Sequence, residues 1–217
     1  MKDCIILFDL DGTLIDSTEA VYEGFCEAFK HFKKAIPTFE SVKSQIGHTL
    51  DTMFHTLGVQ ENEIPQFISA YKEHYRQICN AKTTLLPNAK EAILESHSFA
   101  QLGVVTTKTG QYSKMLLEHM GVGNYFTCII GRENVVNAKP SAEPILKALE
   151  SFSPLNKDKI YMIGDTPLDI QAAKNARVRS IAVTTGYASL EVLKQHTTQI
   201  KNNALEAVLA IKQTLNA

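Results

Sequence analysis

Short apolar runs alternate with helical patterns along most of the chain. Residues 4–8 (CIILF) are continuously apolar, which is typical of a strand buried inside a parallel sheet. Four further runs share this character, at 102–106, 128–130, 160–163 and 180–183, and helical patterns lie at 88–99, 111–120, 143–152 and 168–176. This alternation predicts an α/β fold with a doubly wound, parallel, Rossmann-like sheet.

One long segment interrupts the alternation directly after the first strand, because residues 18–81 show helical patterns only. Its turn signals lie at Pro37, Gly47, Gly58 and Pro65. These helices could pack on one face of the sheet as part of the core. A segment of about sixty residues can also form a small bundle of its own, and we favour this interpretation. We predict a catalytic core of residues 1–16 and 82–217, and an all-helical cap domain at 17–81.

Composition narrows the class of function. The 217 residues carry a net charge of −1 and are 44% hydrophobic, as expected of a globular chain. No basic cluster suggests nucleic acid binding, and the apolar runs are too short to span a membrane. The four cysteines form no CxxC pair and the first residues contain no positively charged leader, so we expect reduced thiols in a cytoplasmic protein.

Polar residues follow three of the apolar runs directly. Asp9, Thr106 and Asp165 each come at the end of a predicted strand. In open α/β sheets, ligands bind in the crevice outside the carboxyl ends of the strands. We therefore expect these three side chains to meet in one crevice.

The sequence after the first strand is DLDGT, in which Asp9 and Asp11 are two residues apart. On extended backbone such side chains point the same way, and two adjacent carboxylates repel unless a cation offsets them. Mg²⁺ prefers oxygen ligands of this kind. Gly12 would allow a sharp turn that brings backbone N–H groups near an anion. A calcium loop of the EF-hand type does not fit, because Leu14 and Ala20 stand where it needs Gly and Glu.

Further polar groups suit phosphate or metal binding. Asp165 is placed to complete a metal site, and Asp169 lies four residues later in the first turn of a helix, where any acid is favoured. Thr106 and Thr107 can donate hydroxyl hydrogen bonds to a phosphoryl oxygen, although threonine is also common in strands. Lys139 precedes a proline, which holds it extended, so its ammonium could reach the crevice; a solvated surface lysine is the alternative.

The order of these motifs, DxDGT, strand threonine, Lys-Pro and GDxxxD, resembles the haloacid dehalogenase superfamily. More narrowly, it resembles the phosphoglycolate phosphatase-like branch, which has a helical (C1-type) cap between the first and second motifs. The resemblance covers nearly the whole chain. The departures are Ala142, Arg177 and Ala188, where relatives often carry proline, glycine and glycine. None of them removes a catalytic group.

The resemblance implies roles for the matching residues. Asp9 matches the nucleophile that becomes an aspartyl-phosphate, and Asp11 matches the general acid and base. The residues that match phosphate-binding positions are Thr106, Thr107, Lys139 and Gly12.

Mg²⁺ is the cofactor that the resemblance implies. Its expected ligands are the carboxylates of Asp9 and Asp165 and the backbone carbonyl of Asp11. Asp169 matches a supporting acid that orients Lys139 or a metal-bound water. Mg²⁺ and the lysine would together offset the negative charge that a phosphoryl group brings to this set of acids.

We therefore expect a Mg²⁺-dependent phosphatase that hydrolyses a small phosphorylated metabolite, either phosphoglycolate-like or a sugar phosphate, and acts as a monomer or weak homodimer. Inorganic pyrophosphate hydrolysis stays open. Dehalogenation is disfavoured because Asp11 is present, and a sugar phosphomutase because no histidine lies in residues 19–22. A catalytically weak binding or regulatory protein is the remaining alternative, which the complete set of catalytic residues disfavours.

Substrate choice is expected to reside in the cap. Gly47, His48 and Thr49 are the candidate specificity residues, because a glycine break between cap helices often faces the active site in such relatives. An ordinary helix–helix turn is the alternative. Tyr71 and Tyr75 lie at helical spacing, and we expect them to pack inside the cap rather than to contact substrate.

Overall fold

A six-stranded parallel sheet forms the centre of the computed structural model, which describes residues 2–153 and 156–216. Its strands follow the order β5-β4-β1-β6-β7-β8, while β2 and β3 pair separately as antiparallel strands. The strand bounds are β1 (Cys4–Phe8), β2 (Ile15–Asp16), β3 (Thr84–Leu85), β4 (Ala100–Val105), β5 (Phe126–Ile130), β6 (Ile160–Gly164), β7 (Arg179–Val183) and β8 (Ile200–Lys201). The predicted doubly wound α/β fold is confirmed.

Helices lie on both faces of the sheet and in the segment after β1. Their bounds are α1 (Thr18–His31), α2 (Phe39–Lys43), α3 (Leu50–Thr56), α4 (Ile64–Ile78), α5 (Ala89–Phe99), α6 (Gly110–His119), α7 (Glu143–Leu149), α8 (Pro167–Ala176), α9 (Leu190–Lys194) and α10 (Ala204–Asn216). Single 3-10 turns occupy Gly123–Tyr125, Arg132–Asn134 and Lys157–Lys159.

Strand β1 is apolar throughout because both of its faces are covered. Ile6 and Phe8 enter the apolar cluster that includes side chains of α5, α6 and α10. Ile5 and Leu7 point to the opposite face and pack with α7 and α8. The chain proceeds from β1 to β4 and β5 on one side and then to β6, β7 and β8 on the other, so the strand order reverses next to β1. This reversal places a ligand crevice at the carboxyl end of β1.

The segment between β2 and β3 is helical, as predicted, and consists of α1 to α4. An aromatic cluster holds it together, with the rings of Phe25 and Phe54 4.4 Å apart. Helices α1 and α4 approach closely at Gly24, where a Cβ atom would lie 2.6 Å from the Tyr71 ring. The buried apolar side chains of this segment continue into the cluster on one sheet face. The division into core and cap domains stays a prediction.

Element ends differ from the sequence patterns by a few residues. Helix α7 ends at Leu149 rather than 152, because the N–H groups of Ser151 and Phe152 bond three residues back to Ala148 and Leu149. Pro65 lies inside the first turn of α4, where its missing N–H costs nothing, and not in a turn between helices. Across residues 2–153 and 156–216, the helices are all too short or too polar to cross a lipid bilayer.

Candidate active site

The carboxyl ends of β1, β4 and β6 bring together Asp9, Thr106 and Asp165, all of which are buried. The Asp9 backbone N–H extends the sheet by donating to Ile163 O at 2.8 Å, and the Thr106 N–H donates to Ile130 O at 2.9 Å. Each side chain therefore projects from the rigid edge of the sheet. The three residues lie at the ends of neighbouring strands, and a ligand crevice there stays a prediction.

Three carboxylates form the centre of the crevice. Asp9, Asp165 and Asp169 each contribute an oxygen, and these oxygens lie within 4.8 Å of one another. Asp165 is fully buried and accepts hydrogen bonds from the Thr13 hydroxyl at 3.0 Å and the Tyr187 N–H at 2.9 Å. Burial raises the pKa of Asp165 well above its ordinary value, and the neighbouring Asp9 and Asp169 add to this rise.

Lys139 is the cation that faces this acidic cluster. Its Nζ lies 2.6 Å from Asp9 Oδ1 and 2.5 Å from Asp169 Oδ1, and it also donates to Val105 O at 3.1 Å. Burial alone would lower the pKa of Lys139, but the carboxylates of Asp169 and Asp9 outweigh burial and raise it above its ordinary value. The alternative of a solvated surface lysine is wrong, because the side chain is 3% exposed.

The acidic cluster carries more negative charge than Lys139 can offset. Burial raises the pKa of Asp9 to about 7 against the opposing effect of Lys139. A hard divalent cation would relieve this imbalance, and an all-oxygen donor set suits Mg²⁺ better than a softer transition metal. The residues present therefore fit a Mg²⁺ site that includes Asp9 and Asp165.

Asp11 lies outside this cluster, in a second polar group. Its carboxylate accepts a hydrogen bond from the Ser17 hydroxyl, and Lys108 Nζ lies 3.1 Å away. The chain does not continue as extended strand after Asp9, because the N–H groups of Thr13 and Leu14 turn back to Leu10 O. The expectation that the two aspartates of DLDGT share one cation through their side chains is not what the structure shows.

Sequence reasoning missed Lys108. Its side chain is 9% exposed, and its Nζ lies 4.9 Å from the centre of the Tyr75 ring as well as beside Asp11. Burial would lower the pKa of Lys108, but the Asp11 carboxylate outweighs burial and raises it. Its position directly after Thr106 and Thr107 could have indicated this role, because side chains at the end of a strand lie near the predicted crevice.

Asp169 combines both of the roles weighed from the sequence. Its Oδ2 accepts hydrogen bonds from the Thr166 N–H at 3.1 Å and the Thr166 hydroxyl at 2.7 Å, which makes it a first-turn acid of α8. Its Oδ1 holds Lys139. Gly164 makes room for this arrangement, because a Cβ there would lie 2.3 Å from Asp169 Cγ.

Two glycines enclose Asp165. Gly12 has φ +84°, and a Cβ there would lie 2.5 Å from Asp165 Oδ2; at Gly186 the same distance would be 1.9 Å. The Gly12 N–H already donates to Ile15 O at 2.8 Å. The structure therefore gives Gly12 a packing role against Asp165, and its phosphate contact stays a prediction.

The predicted specificity loop touches the catalytic edge of the sheet. The Thr107 hydroxyl donates to Gly47 O at 2.9 Å rather than facing the acidic cluster, so its phosphate contact also stays a prediction. A Cβ at Gly47 would lie 3.1 Å from Thr166 Cγ2. Thr49 caps α3 by accepting from the Thr52 N–H, which is the ordinary role of a residue between helices.

A cavity of about 370 Å³ opens beside Asp11, between the α2–α3 turn, α4 and the end of β4. Tyr71 and Tyr75 are buried, as expected of packing residues, and they also line this cavity. Its lining residues are Asp11, Val21, Ile46, Gly47, His48, Leu50, Asp51, Met53, Pro65, Ile68, Tyr71, Lys72, Tyr75, Thr107, Lys108, Thr109, Tyr112 and Arg132. Gly47 and His48 line this cavity, and their part in substrate choice stays a prediction.

Comparisons with known proteins agree with this geometry. The family model described as haloacid dehalogenase-like hydrolase matches residues 6–183. A protein of Caldanaerobacter subterraneus subsp. tengcongensis, provisionally named pyrophosphatase PpaX, is 31% identical over 198 residues, which are 90% of this chain and 88% of that protein. The phosphoglycolate phosphatase of Aquifex aeolicus is 29% identical over 189 residues, 86% of this chain and 87% of its own.

A solved structure shows the same similarity. A haloacid dehalogenase-like family hydrolase from Streptococcus pneumoniae superimposes with a TM-score of 0.86 at 26% identity, covering 98% of this chain and 99% of that one. The similarity extends over the helical segment as well as the sheet. Because the family model spans most of the chain, the protein belongs to the haloacid dehalogenase-like hydrolases and is a phosphatase of that family.

Proposed function

We propose that the protein hydrolyses a small organic phosphate monoester with Mg²⁺, through an aspartyl-phosphate on Asp9. The observation that carries this proposal is that Asp9 and Asp11 lie in two separate polar groups. Asp9 lies in a buried cluster with Asp165, Asp169 and Lys139, which suits a metal and a phosphoryl group. Asp11 lies in a separate polar group at the edge of the cavity, which suits proton transfer to a leaving group.

The chemistry assigned to Asp9 requires its ionised form. One carboxylate oxygen attacks phosphorus, an oxygen–phosphorus bond forms, and the bond from phosphorus to the alcohol oxygen breaks. Lys139, 2.6 Å away, favours the ionised carboxylate and opposes the effect of burial. The alcohol oxygen takes its proton from Asp11.

The second step returns the enzyme to its starting state. Water attacks phosphorus, Asp11 accepts the proton of that water, and the bond between phosphorus and Asp9 breaks to release phosphate. Asp9 and Asp165 would hold Mg²⁺, with the Asp11 backbone carbonyl as the further ligand that the family resemblance implies. When bound, Mg²⁺ supplies charge stabilisation for the phosphoryl oxygens.

The names of the relatives suggest two substrate classes. The Aquifex aeolicus relative is named a phosphoglycolate phosphatase, which supports a small monoester; a sugar phosphate belongs to the same class. The Caldanaerobacter relative carries the name of a pyrophosphatase, so pyrophosphate is the second candidate. Both substrates would use the same nucleophile and differ only in the leaving group.

Phosphate release from a panel of esters and pyrophosphate tests the proposal, with Mg²⁺ or EDTA present. We expect release that requires Mg²⁺ and that Asp9→Asn abolishes. Asp16→Asn is the matched control, because Asp16 is a nearby exposed acid of β2 whose carboxylate accepts a hydrogen bond from the Thr18 N–H. Release that persists in Asp9→Asn would contradict the aspartyl-phosphate mechanism.

A further inference from the structure

We propose that the preferred substrates are phosphate monoesters of alcohols that carry an apolar or aromatic ring. This inference rests on the proposed function and narrows its substrate class. The cavity beside Asp11 selects the alcohol, while the acidic cluster handles the phosphoryl group that all candidate substrates share.

The position of the cavity indicates that it holds the alcohol part of the ester, which is the leaving group. Asp11 is the proposed proton donor to the alcohol oxygen, and it lines the cavity together with Lys108. Asp9, Lys139 and Asp165 do not line it. An ester whose phosphorus lies at Asp9 and whose bridging oxygen lies at Asp11 would therefore extend its alcohol into this cavity.

The cavity has an apolar part and a polar part. Side chains from α1, α3 and α4 and their neighbouring turns form the apolar part: Val21, Leu50, Met53, Ile68, Tyr71 and Tyr75. Polar and charged side chains also line the cavity, among them His48, Asp51, Lys72 and Arg132. Apolar surface of this kind is stabilised by contact with apolar groups rather than with hydroxyl or carboxylate groups. A polyhydroxylated sugar that lay against the apolar part would leave the hydroxyl groups on that side without partners.

One wall presents aromatic rings. Tyr71 stacks on Tyr75 with centroids 5.3 Å apart and an interplanar angle of 15°, and Tyr112 meets Tyr75 edge-on at 5.6 Å and 63°. Aromatic side chains favour offset-stacked or edge-to-face contact with a further ring. A ring on the alcohol would extend this series.

The size and charge of the cavity disfavour the smallest leaving groups. A volume of about 370 Å³ lies within the ~300–1,000 Å³ range of pockets that enclose whole organic ligands. Glycolate or phosphate would cover little of it. Two of the cations at the cavity already have partners, because Lys108 faces Asp11 and Arg132 donates to Val135 O at 2.9 Å. The charge of Lys108, at least, is already offset by Asp11, which weakens its attraction for a leaving phosphate.

Three primary-alcohol esters with six-membered rings test the inference: benzyl phosphate, cyclohexylmethyl phosphate and glucose 6-phosphate. They place a ring of similar size in the cavity and differ in its polarity. 2-Phosphoglycolate, ethyl phosphate and pyrophosphate complete the panel. We expect kcat/KM for the two apolar-ring esters to exceed that for the other compounds by at least ~10-fold, since a single methylene in an apolar pocket already contributes ~10-fold or more.

Two variants on one helix connect the preference to the cavity. Ile68→Asn places an amide in the cavity wall and should lower the ratio of kcat/KM for benzyl phosphate over ethyl phosphate by about 10-fold. Ile78→Asn makes the same change on α4, at a residue that is likewise half-buried but does not line the cavity, and should leave this ratio unchanged. Because both esters are measured on the same variant, a loss of activity caused by destabilisation lowers both values equally and cancels in the ratio.

The outcomes separate this inference from the proposed function. If glucose 6-phosphate, 2-phosphoglycolate or pyrophosphate matched or exceeded benzyl phosphate, with release still abolished by Asp9→Asn, the ring preference would be wrong and the mechanism would stand. An unchanged ratio in Ile68→Asn would also overturn it. If no compound released phosphate, the proposed function itself would fail.

Discussion

Lys108 Nζ lies 3.1 Å from Asp11 Oδ1, and each of the two side chains is 9% exposed. The Ser17 hydroxyl donates to the same carboxylate, which fixes its orientation. The proposed general acid and base is therefore held by a buried ammonium from the end of β4. This contact connects the catalytic sheet edge to the cavity, because both residues line it.

Replacing Lys108 by Met should destabilise the fold and lower kcat. Removing one partner of a buried ion pair leaves the other charge uncompensated, at a cost of about 3–5 kcal/mol. We expect the double variant Asp11→Asn/Lys108→Met to recover part of this loss in the free energy of unfolding, measured by urea denaturation. Lys114→Met is the control, since Lys114 is exposed and only loosely paired, and it should change stability by less than about 1 kcal/mol. Strictly additive effects in the double variant would contradict a coupled pair.

The stabilisation of the protein by Mg²⁺ should increase with pH. The pKa of Asp9 is about 7 in the folded protein and 3.8 ordinarily, so protonated Asp9 favours the fold most strongly below about pH 3.8. This contribution is lost as the pH rises through 7, where Asp9 ionises inside the buried cluster. Bound Mg²⁺ would offset the resulting charge.

Thermal unfolding with Mg²⁺ and with EDTA, at pH 5, 6, 7 and 8, measures this dependence. We expect the difference between the two melting temperatures to widen from pH 5 to pH 8. In Asp9→Asn the widening should be smaller, because one of the two buried carboxyl groups with a raised pKa, Asp9 beside Asp165, is gone. A difference that stays constant with pH in the unmodified protein would rule out the linkage.

Gly186→Ala should weaken Mg²⁺ binding. The added Cβ would lie 1.9 Å from Asp165 Oδ2, so the carboxylate must move. Displaced metal-site residues typically cost ~10- to 100-fold in affinity, and calorimetric titration with Mg²⁺ would measure the loss. Gly58→Ala is a demanding control, because Gly58 has φ +87° but no atom near the added Cβ. Gly58→Ala should lower the free energy of unfolding by about 1 kcal/mol and leave the Mg²⁺ affinity unchanged. Equal losses of Mg²⁺ affinity in both variants would point to general destabilisation.

Thr107→Val and Thr106→Val should differ in their effect on inhibition by inorganic phosphate. The Thr107 hydroxyl donates to Gly47 O, so its loss should raise KM for esters several-fold and spare inhibition by inorganic phosphate. The Thr106 hydroxyl lies at the buried strand end and accepts from the Lys108 N–H at 3.1 Å. Its loss should weaken both ester hydrolysis and phosphate inhibition. Weaker phosphate inhibition in Thr107→Val would instead support the phosphate contact predicted from the sequence.

Much of the catalytic edge follows from sequence alone. A continuously apolar run such as 4–8 is expected only for a strand covered on both faces, so the residue that follows it must lie at the edge of the sheet. This is why Asp9 and Asp165 could be placed in one crevice. Lys139 was predicted as a candidate, but its pairing with Asp9 and Asp169 required three-dimensional information, because these carboxylates are distant from it in sequence.

The cavity could not be predicted in the same way. Its walls combine α1, α3, α4 and the end of β4, and their proximity depends on tertiary packing that periodicity does not report. Tyr71 and Tyr75 show the helical spacing of core residues, which they are, yet they also face the cavity. The short strands β2, β3 and β8 escaped prediction because two residues are too few to show an alternating pattern.

The α2–α3 turn rests on both sides of the nucleophile, since Gly47 contacts Thr107 after β4 and Thr166 after β6, and these strands flank β1. The turn therefore bridges the mouth of the crevice, from the end of β4 to the end of β6. The hydrogen bond from Thr107 contributes about 1 kcal/mol net, and the buried side chain of Ile46 also anchors the turn in the apolar cluster. Any opening of the crevice at this turn would therefore have to break that hydrogen bond and expose Ile46 to water.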